Sequence, residues 1–247
     1  MDIQMVVVDG TGPGDNREYF QSMADSFCKQ IRDALGGKNV DYNRGPSDIG
    51  AECSDEADWA WNSCLAGRRL GKKIFLAGYS RGGAVVIAAA YRFGHAIDSI
   101  FLFAAVDRSC TIDGYTSQCN VDNVFHVRRD QTISDPLLST QQYRRHWFGN
   151  CGLATQWPKR TKYREFTVPN ASHAAVGGVP WLERADDKPS LRLAGKWMST
   201  MLHTRGLPVT LQDKWFDTQR EVDFQRKQAE VLADQREMAK AMRGPKF

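Results

Sequence analysis

The sequence predicts an α/β fold in which a mostly parallel sheet carries helices on both faces. Short, continuously apolar runs of strand length recur along the chain, and segments with the apolar spacing of helices separate them. Strands that are apolar along their whole length are typical of sheets buried on both sides, and their alternation with helices is typical of parallel connections. A composition of 42% hydrophobic and 25% charged residues over 247 positions is sufficient for one large core.

The first part of the chain supplies four elements. A β-branched run predicts a strand that leads into a glycine-rich loop, and apolar residues at intervals of three and four predict an amphipathic helix that ends at paired glycines. A weak strand and a second helix follow. The predicted bounds are Gln4–Val8, Asn16–Leu35, Lys38–Tyr42 and Ser54–Leu70.

The loop after the first strand reads D-G-T-G-P-G and fits neither of two well-known loops of similar composition. Phosphatases of the haloacid-dehalogenase type place a nucleophilic aspartate where this chain has Val7. The dinucleotide fingerprint G-x-G-x-x-G needs glycine where this chain has Asp15. We therefore expect the loop to supply a backbone amide, from Thr11 or Gly12, to a site at the edge of the sheet.

The central motif is Gly78-Tyr79-Ser80-Arg81-Gly82, between an apolar strand and a helix of small residues. In this context G-x-S-x-G is the nucleophile elbow, a turn so sharp that small residues are needed two positions to either side of the serine. The turn places Ser80 at the carboxyl edge of the sheet, where the amide of Arg81 and the helix dipole can stabilise an oxyanion. The predicted strand and helix are Ile74–Ala77 and Gly83–Ala90.

Three more apolar strands follow, and a residue suited to acyl transfer lies after each of them. Asp107 follows the first strand, Asp130 the second, and His173 lies in the loop after the third. Because ligands bind at the carboxyl ends of parallel strands, these side chains are expected at the same edge as Ser80. The predicted strands are Ser99–Val106, Val121–Val127 and Tyr163–Val168, and a final helix covers Asp187–His203.

Serine, acid and histidine follow one another in the order used by alpha/beta-hydrolases. A serine hydroxyl needs an imidazole to take its proton, and the imidazole needs a carboxylate to hold its tautomer. Ser80 is the predicted nucleophile and His173 the predicted base, because the other four histidines are less well placed. Asp130 is the favoured acid, since it ends the strand that usually carries it, and Asp107 is the alternative.

The motifs G-Y-S-R-G-G, V-V-D-G-T-G and F-T-V-P-N-A-S-H-A-A-V-G-G, in combination, resemble the alpha/beta-hydrolase domain of the phospholipase effectors of bacterial type VI secretion systems and their uncharacterised relatives. The resemblance covers residues 4–180 and implies an alpha/beta-hydrolase-like fold. F-L-F-A-A-V-D is similar to that family's strand ending in an aspartate, which favours Asp107. V-F-H-V-R-R-D-Q-T-I-S-D-P-L resembles the acid-bearing strand of fungal-type lipases, which favours Asp130. The acidic residue that usually follows the family's histidine is replaced here by Ala175.

The expected function is that of a serine esterase or lipase acting through an acyl-enzyme. The resemblance implies a phospholipid or other acyl lipid as substrate and peripheral contact with a membrane. Two alternatives stay open: a hydrolase of small esters or peptides, and a non-catalytic hydrolase-like module that binds a protein partner. Serine chemistry needs no cofactor, and six scattered cysteines without a C-x-x-C pair predict no metal site.

Composition divides the chain into a hydrolase domain, residues 1–207, and a charged C-terminal segment, residues 208–247. Acidic and basic residues alternate in the second part, which predicts a solvated helix or a helix that pairs with a protein partner. Residues 132–161 form a long connection with aromatic and basic residues, which predicts a lid over the site or an extra surface helix.

Charge and hydropathy narrow the partners and the location. A net charge of +4 is too mild to predict a nucleic-acid partner. No apolar stretch reaches the length of a membrane-spanning helix, and the N-terminus lacks the pattern of a signal peptide. The expected location is cytoplasmic, with export by a signal-independent secretion system as the alternative.

Overall fold

Six parallel strands form the sheet that the sequence predicts. The computed structural model describes residues 2–47, 50–107, 118–130, 151–179 and 187–214. The strand order is β2-β1-β3-β4-β5-β6, and each neighbouring pair is parallel. The strands are β1 (Ile3–Val8), β2 (Val40–Asn43), β3 (Lys73–Tyr79), β4 (Ile97–Phe103), β5 (Val121–Arg129) and β6 (Lys162–Val168).

Helices cover both faces of this sheet, as predicted. One face is buried by α3 (Cys53–Arg69) and α4 (Arg81–Phe93), through a core rich in alanine, valine and isoleucine. The other face holds most of the buried aromatic residues. Its helices are α1 (Asn16–Ser22), α2 (Phe27–Leu35), α5 (His173–Val176) and α6 (Asp187–Thr204). Burial of β1, β3 and β4 on both sides explains why these strands read as continuous apolar runs.

The single helix predicted from Asn16 to Leu35 is two helices. The apolar spacing continues across the break, but Ser26 caps α2 by accepting a hydrogen bond from the Lys29 amide and donates its own hydroxyl proton to Asp9. A serine that binds backbone and a distant carboxylate at once favours a helix start over a helix interior. A tertiary contact thus divides a periodic segment.

The apolar run Ser99–Val106 ends as a strand at Phe103. Ala104 has a φ of 43°, a left-handed conformation that strands do not contain. Its amide donates to Val127 O at 2.8 Å, and the chain then turns towards Ser80. The short helix α5, which begins at His173, was not predicted.

Two predicted segments lie largely outside the described residues. Of the predicted lid, residues 151–161 are described, and Cys151 and Trp157 are buried against the α4 face of the sheet. Residues 131–150 and 215–247 are not described, so the lid and the C-terminal helix stay predictions. Residues 207–214 run along α2 and α6, where Gln30 and Gln212 exchange two hydrogen bonds of 2.8 Å.

Candidate active site

Ser80 occupies the sharp turn between β3 and α4, with φ 53° and ψ −125°. Left-handed φ is rare outside glycine and costs of order 1–3 kcal/mol, so the surrounding contacts must enforce it. The Ser80 amide donates to Phe103 O at 2.9 Å, and the Ser80 carbonyl accepts from Gly83 and Val106 at 3.0 Å each. The predicted elbow therefore has the strained geometry that presents a serine hydroxyl at the sheet edge.

The glycines around Ser80 are required by close backbone approach. A Cβ on Gly78 would lie 2.6 Å from Gly82 O, and a Cβ on Gly83 would lie 2.6 Å from the Ala105 Cβ. A Cβ on Gly82 would collide with the carbonyl oxygens of Asp9 and Val8. The start of α4 is thus in contact with the end of β1. The loop that is predicted to supply an oxyanion-binding amide follows directly after β1.

His173 lies against the nucleophile. Its Nε2 is 2.8 Å from Ser80 Oγ, and its ring stacks on Tyr79 with centroids 5.3 Å apart. Burial, together with the smaller effect of the positive charge of Arg129, lowers the pKa of His173 to about 3. The imidazole is therefore neutral at neutral pH, and Nε2 can accept the serine proton when Nδ1 carries the ring proton.

The two candidate acids lie at the ends of β4 and β5. Asp130 follows β5, and its amide donates to Val168 O, the last residue of β6, at 3.0 Å. The loop after β6 leads directly to His173. Asp107 is buried, and its charge helps to raise the pKa of Cys53, which lies on α3. Asp107 thus lies after β4 and Asp130 after β5, as predicted, and which of the two serves His173 stays a prediction.

The loop after β1 brings a backbone amide to the same edge. The Gly12 amide donates to Pro46 O at 3.4 Å, whereas the Thr11 amide has no hydrogen-bond partner within the described residues. The guanidinium of Arg81 donates to Ser47 O at 2.8 Å, while its amide lies in the first turn of α4. Of the two amides considered from sequence, Thr11 is the one free to bind a ligand.

Asp9 anchors this loop, a role that sequence analysis missed. Its buried carboxylate accepts hydrogen bonds from the Gly10 amide at 2.8 Å, the Tyr42 hydroxyl at 2.9 Å and the Ser26 hydroxyl. Burial raises the pKa of Asp9 to about 6, although these three donors lower it. The sequence signal for this role was an aspartate at the end of an apolar strand. That signal was not sufficient, because the hydrogen-bond partners of Asp9 come from β2 and from the N-cap of α2.

Tyr19 and Arg44 fix the remainder of the loop. The Tyr19 hydroxyl donates to Gly10 O at 2.7 Å and accepts from the Gly45 amide at 2.6 Å. The Arg44 guanidinium lies 4.4 Å from the centre of the Tyr19 ring and donates to Pro13 O at 2.6 Å. A loop held at so many points is preorganised, which is what an oxyanion-binding amide requires.

His126 has a structural role next to the site, at the turn that follows β4. It is fully buried in β5, its Nε2 accepts from the Ala105 amide at 3.2 Å, and its Nδ1 lies 3.3 Å from Gly152 O. Burial lowers its pKa to about 3, so the ring is neutral. His126 thereby holds the turn that leads from β4 to Asp107.

The described residues contain neither a cluster of metal ligands nor a membrane-spanning helix. No group of three or more histidine, cysteine, aspartate or glutamate side chains is placed there to hold a metal ion. None of the helices in those ranges is long and apolar enough to cross a membrane. A groove of about 830 Å³ lies between α6 and residues 210–214, and it contains none of the predicted site residues.

Known structures resemble this fold, although no family model and no curated protein matches the sequence. Est1E from Butyrivibrio proteoclasticus is 11% identical with a TM-score of 0.41, over 81% of this chain and 89% of that one. XC6422 from Xanthomonas campestris, an a/b serine hydrolase without lid, is 16% identical with a TM-score of 0.44, over 84% and 85%. A predicted CIB-like hydrolase from Thermoplasma acidophilum is 11% identical with a TM-score of 0.44, over 80% and 86%.

Likenesses of this degree carry no information about the reaction of this chain. The alpha/beta-hydrolase-like fold instead follows from its own geometry. The sheet is parallel throughout, the serine lies on a strained strand-to-helix turn, and a histidine after the last strand contacts it.

Proposed function

We propose that this protein is a serine hydrolase that cleaves a carboxylic ester through an acyl-enzyme. The observation that carries the proposal is the 2.8 Å contact between Ser80 Oγ and a neutral His173 Nε2 at a nucleophile elbow. A structural serine has no need of a strained backbone or of an imidazole that can accept its proton.

In the proposed reaction, Ser80 Oγ forms a bond to the acyl carbon while its proton passes to His173 Nε2. The negative charge that develops on the carbonyl oxygen is bound by the amides of Thr11 and Arg81. The bond to the leaving alcohol then breaks, and the alcohol takes the proton from Nε2. Water repeats the sequence on the acyl-enzyme, which releases the carboxylic acid and restores both side chains.

Asp130 is the proposed acid that holds the His173 tautomer. Its backbone is bonded to the last residue of β6, and the loop after β6 carries His173. Asp107 is proposed to support the elbow instead, because the amide of its neighbour Val106 donates a hydrogen bond to Ser80 O.

An acyl lipid is the proposed substrate class, on the sequence resemblance to type VI secretion phospholipase effectors. Export and peripheral membrane contact belong to the same proposal, as does a protein partner for the C-terminal segment. A hydrolase of small esters or peptides would use the same side chains. Activity against a series of esters of increasing acyl length separates these, since a strong preference for short soluble esters contradicts a lipid substrate.

A fluorophosphonate probe tests the enzyme against the non-catalytic module. Labelling of the wild type but not of Ser80→Ala is expected, because the probe reacts only with an activated serine. Absence of labelling in the folded wild type would refute catalysis. The same assay distinguishes the acids: we expect Asp130→Asn to slow labelling by about 10⁴-fold, as the wrong tautomer does in other triads, and Asp107→Asn to slow it far less.

A further inference from the structure

The loop that carries His173 is hydrogen-bonded to the first turn of α6. The carboxylate of Asp187 accepts two hydrogen bonds from Ser172, one from its amide at 3.0 Å and one from its hydroxyl at 2.7 Å. Both residues are 0% exposed. In the same turn of α6, the Ser190 hydroxyl donates to Pro169 O at 3.0 Å, so two residues of one helix hold both ends of the segment 169–172.

Ser172 passes this constraint to His173. It is the N-cap of α5, because its Oγ accepts a hydrogen bond from the Ala175 amide at 3.0 Å. His173 is the first residue of that helix. Ser172 therefore sets the direction in which the His173 side chain leaves the backbone, and Ser172 is itself held by Asp187 through its amide and its hydroxyl.

The helix α5 cannot supply this constraint by itself. It has four residues, and a single turn costs more conformational entropy than its hydrogen bonds return. The preceding Asn170 has a φ of 53°, a conformation that has to be held by its neighbours. Tyr79 contributes a ring stack and a long hydrogen bond of 3.3 Å from its hydroxyl to the His173 carbonyl.

We propose that Asp187 is a positioning residue, which holds His173 Nε2 at hydrogen-bond distance from Ser80 Oγ by clamping Ser172. The assignment rests on the proposed function, since it gives His173 the part of general base. The hydrogen bonds of Asp187 that lie within the described residues go to Ser172, and none of them goes to Ser80 or His173. Its charge is used on Ser172, where a carboxylate can accept two bonds in a geometry that an amide side chain can match only in part.

The experiment measures the rate of covalent labelling of Ser80 by a fluorophosphonate, together with the Tm, in Asp187→Ala and Asp187→Asn. Ser199→Ala is the matched control, because Ser199 is buried on the same helix and its hydroxyl bonds Gly195 O and the Leu211 amide, away from the histidine loop. Since a displacement of about 1 Å can cost about 100-fold in rate, we expect at least about tenfold slower labelling in Asp187→Ala than in the control at a temperature where both are folded.

Asp187→Asn keeps one acceptor oxygen and should fall between Asp187→Ala and the wild type; it also replaces the alanine variant if that chain does not fold. Labelling of the Asp187 variants at the rate of Ser199→Ala overturns the proposal. A readout without catalysis comes from the ring ¹⁵N resonances of His173: loss of the clamp should expose the ring and raise its pKa from about 3 towards 6.5. If the wild type is not labelled, the hydrolase proposal fails, and an unchanged His173 titration in Asp187→Ala then overturns the clamp as well.

Discussion

At the scale of single residues, Ser80 and His173 are both held in states that a free side chain would leave. Ser80 has a backbone conformation suited to glycine, and burial lowers the pKa of His173 to about 3. The conformation presents Oγ to the edge of the sheet, and the neutral imidazole leaves Nε2 able to accept a proton. The strain at Ser80 costs stability at any pH, whereas the lowered pKa of His173 costs stability only as the pH falls below 6.5, where the unfolded imidazole takes up a proton.

The strain at Ser80 can be measured with two substitutions. Ser80→Ala removes the hydroxyl but keeps the Cβ at φ 53°, whereas Ser80→Gly removes both. We expect the glycine variant to be more stable than the alanine variant by about 1 kcal/mol, because relief of a strain of about 1–3 kcal/mol exceeds the entropy that glycine loses on folding. Urea unfolding of the two variants measures this, and a less stable glycine variant would show that the turn is not strained. Neither variant should react with a fluorophosphonate.

At the scale of elements, the site depends on how α4 meets the loop after β1. The two proposed oxyanion amides, Thr11 and Arg81, belong to different elements, and their separation is set where Gly82 touches the carbonyls of Val8 and Asp9. Asp9, Tyr19 and Arg44 hold the loop from its other side. The distance between the amides is thus a property of a helix–strand contact.

Gly82→Ala tests this contact. Its Cβ would collide with backbone oxygens, which cannot move as a flexible side chain can, so α4 and the β1 loop must separate. We expect kcat to fall by about 100-fold or more, in line with loss of one oxyanion donor, while KM changes little. Gly14→Ala is the control, because a Cβ there meets nothing within 4 Å. Equal kcat values for the two variants would contradict the assigned role of the contact.

At the scale of the whole molecule, the buried titratable groups have opposite effects on how the free energy of unfolding depends on pH. Burial lowers the pKa of His126 to about 3 from 6.5, so its contribution is complete above pH 6.5 and is lost as the pH falls. Burial raises the pKa of Asp9 to about 6 and that of Glu56 to about 8. The fold favours the protonated forms of these two carboxyl groups. The free energy of unfolding therefore falls as the pH rises from their ordinary pKa values of 3.8 and 4.5 to the raised values.

Glu56 gives the cleanest test, because its Oε2 is buried with no hydrogen-bond partner within the described structure. Glu56→Gln cannot ionise, so its free energy of unfolding minus that of the wild type should rise with pH between about 4.5 and about 8 and then level off. The slope should approach about 1.4 kcal/mol per pH unit at most. Urea unfolding over this range checks the sign, and a difference independent of pH would show that Glu56 ionises freely in the fold.

Local sequence was enough to predict the parallel sheet, and it brought Ser80 and His173 forward as candidates whose catalytic roles stay predictions. Apolar runs buried on both faces carry their own signal, G-x-S-x-G has few other uses between a strand and a helix, and His173 follows the last strand in the expected order. The helix break at Ser26 escaped prediction because a hydrogen bond to Asp9 made it. The end of β4 at Phe103 escaped because the apolar run continues beyond Ala104, whose left-handed φ has no sequence signal.

The chain by itself therefore determined which residue types stand at the carboxyl ends of the strands, because strand periodicity and chain order are local properties. Only the tertiary structure decided that, among the residues it describes, the Gly12 amide has a hydrogen-bond partner and the Thr11 amide has none, and that Asp9 and Asp187 bind the loops on which Thr11 and His173 lie. The bonds of Gly12 to Pro46, of Asp9 to Ser26 and Tyr42, and of Asp187 to Ser172 join residues that are far apart in sequence, and only the packed fold sets such bonds.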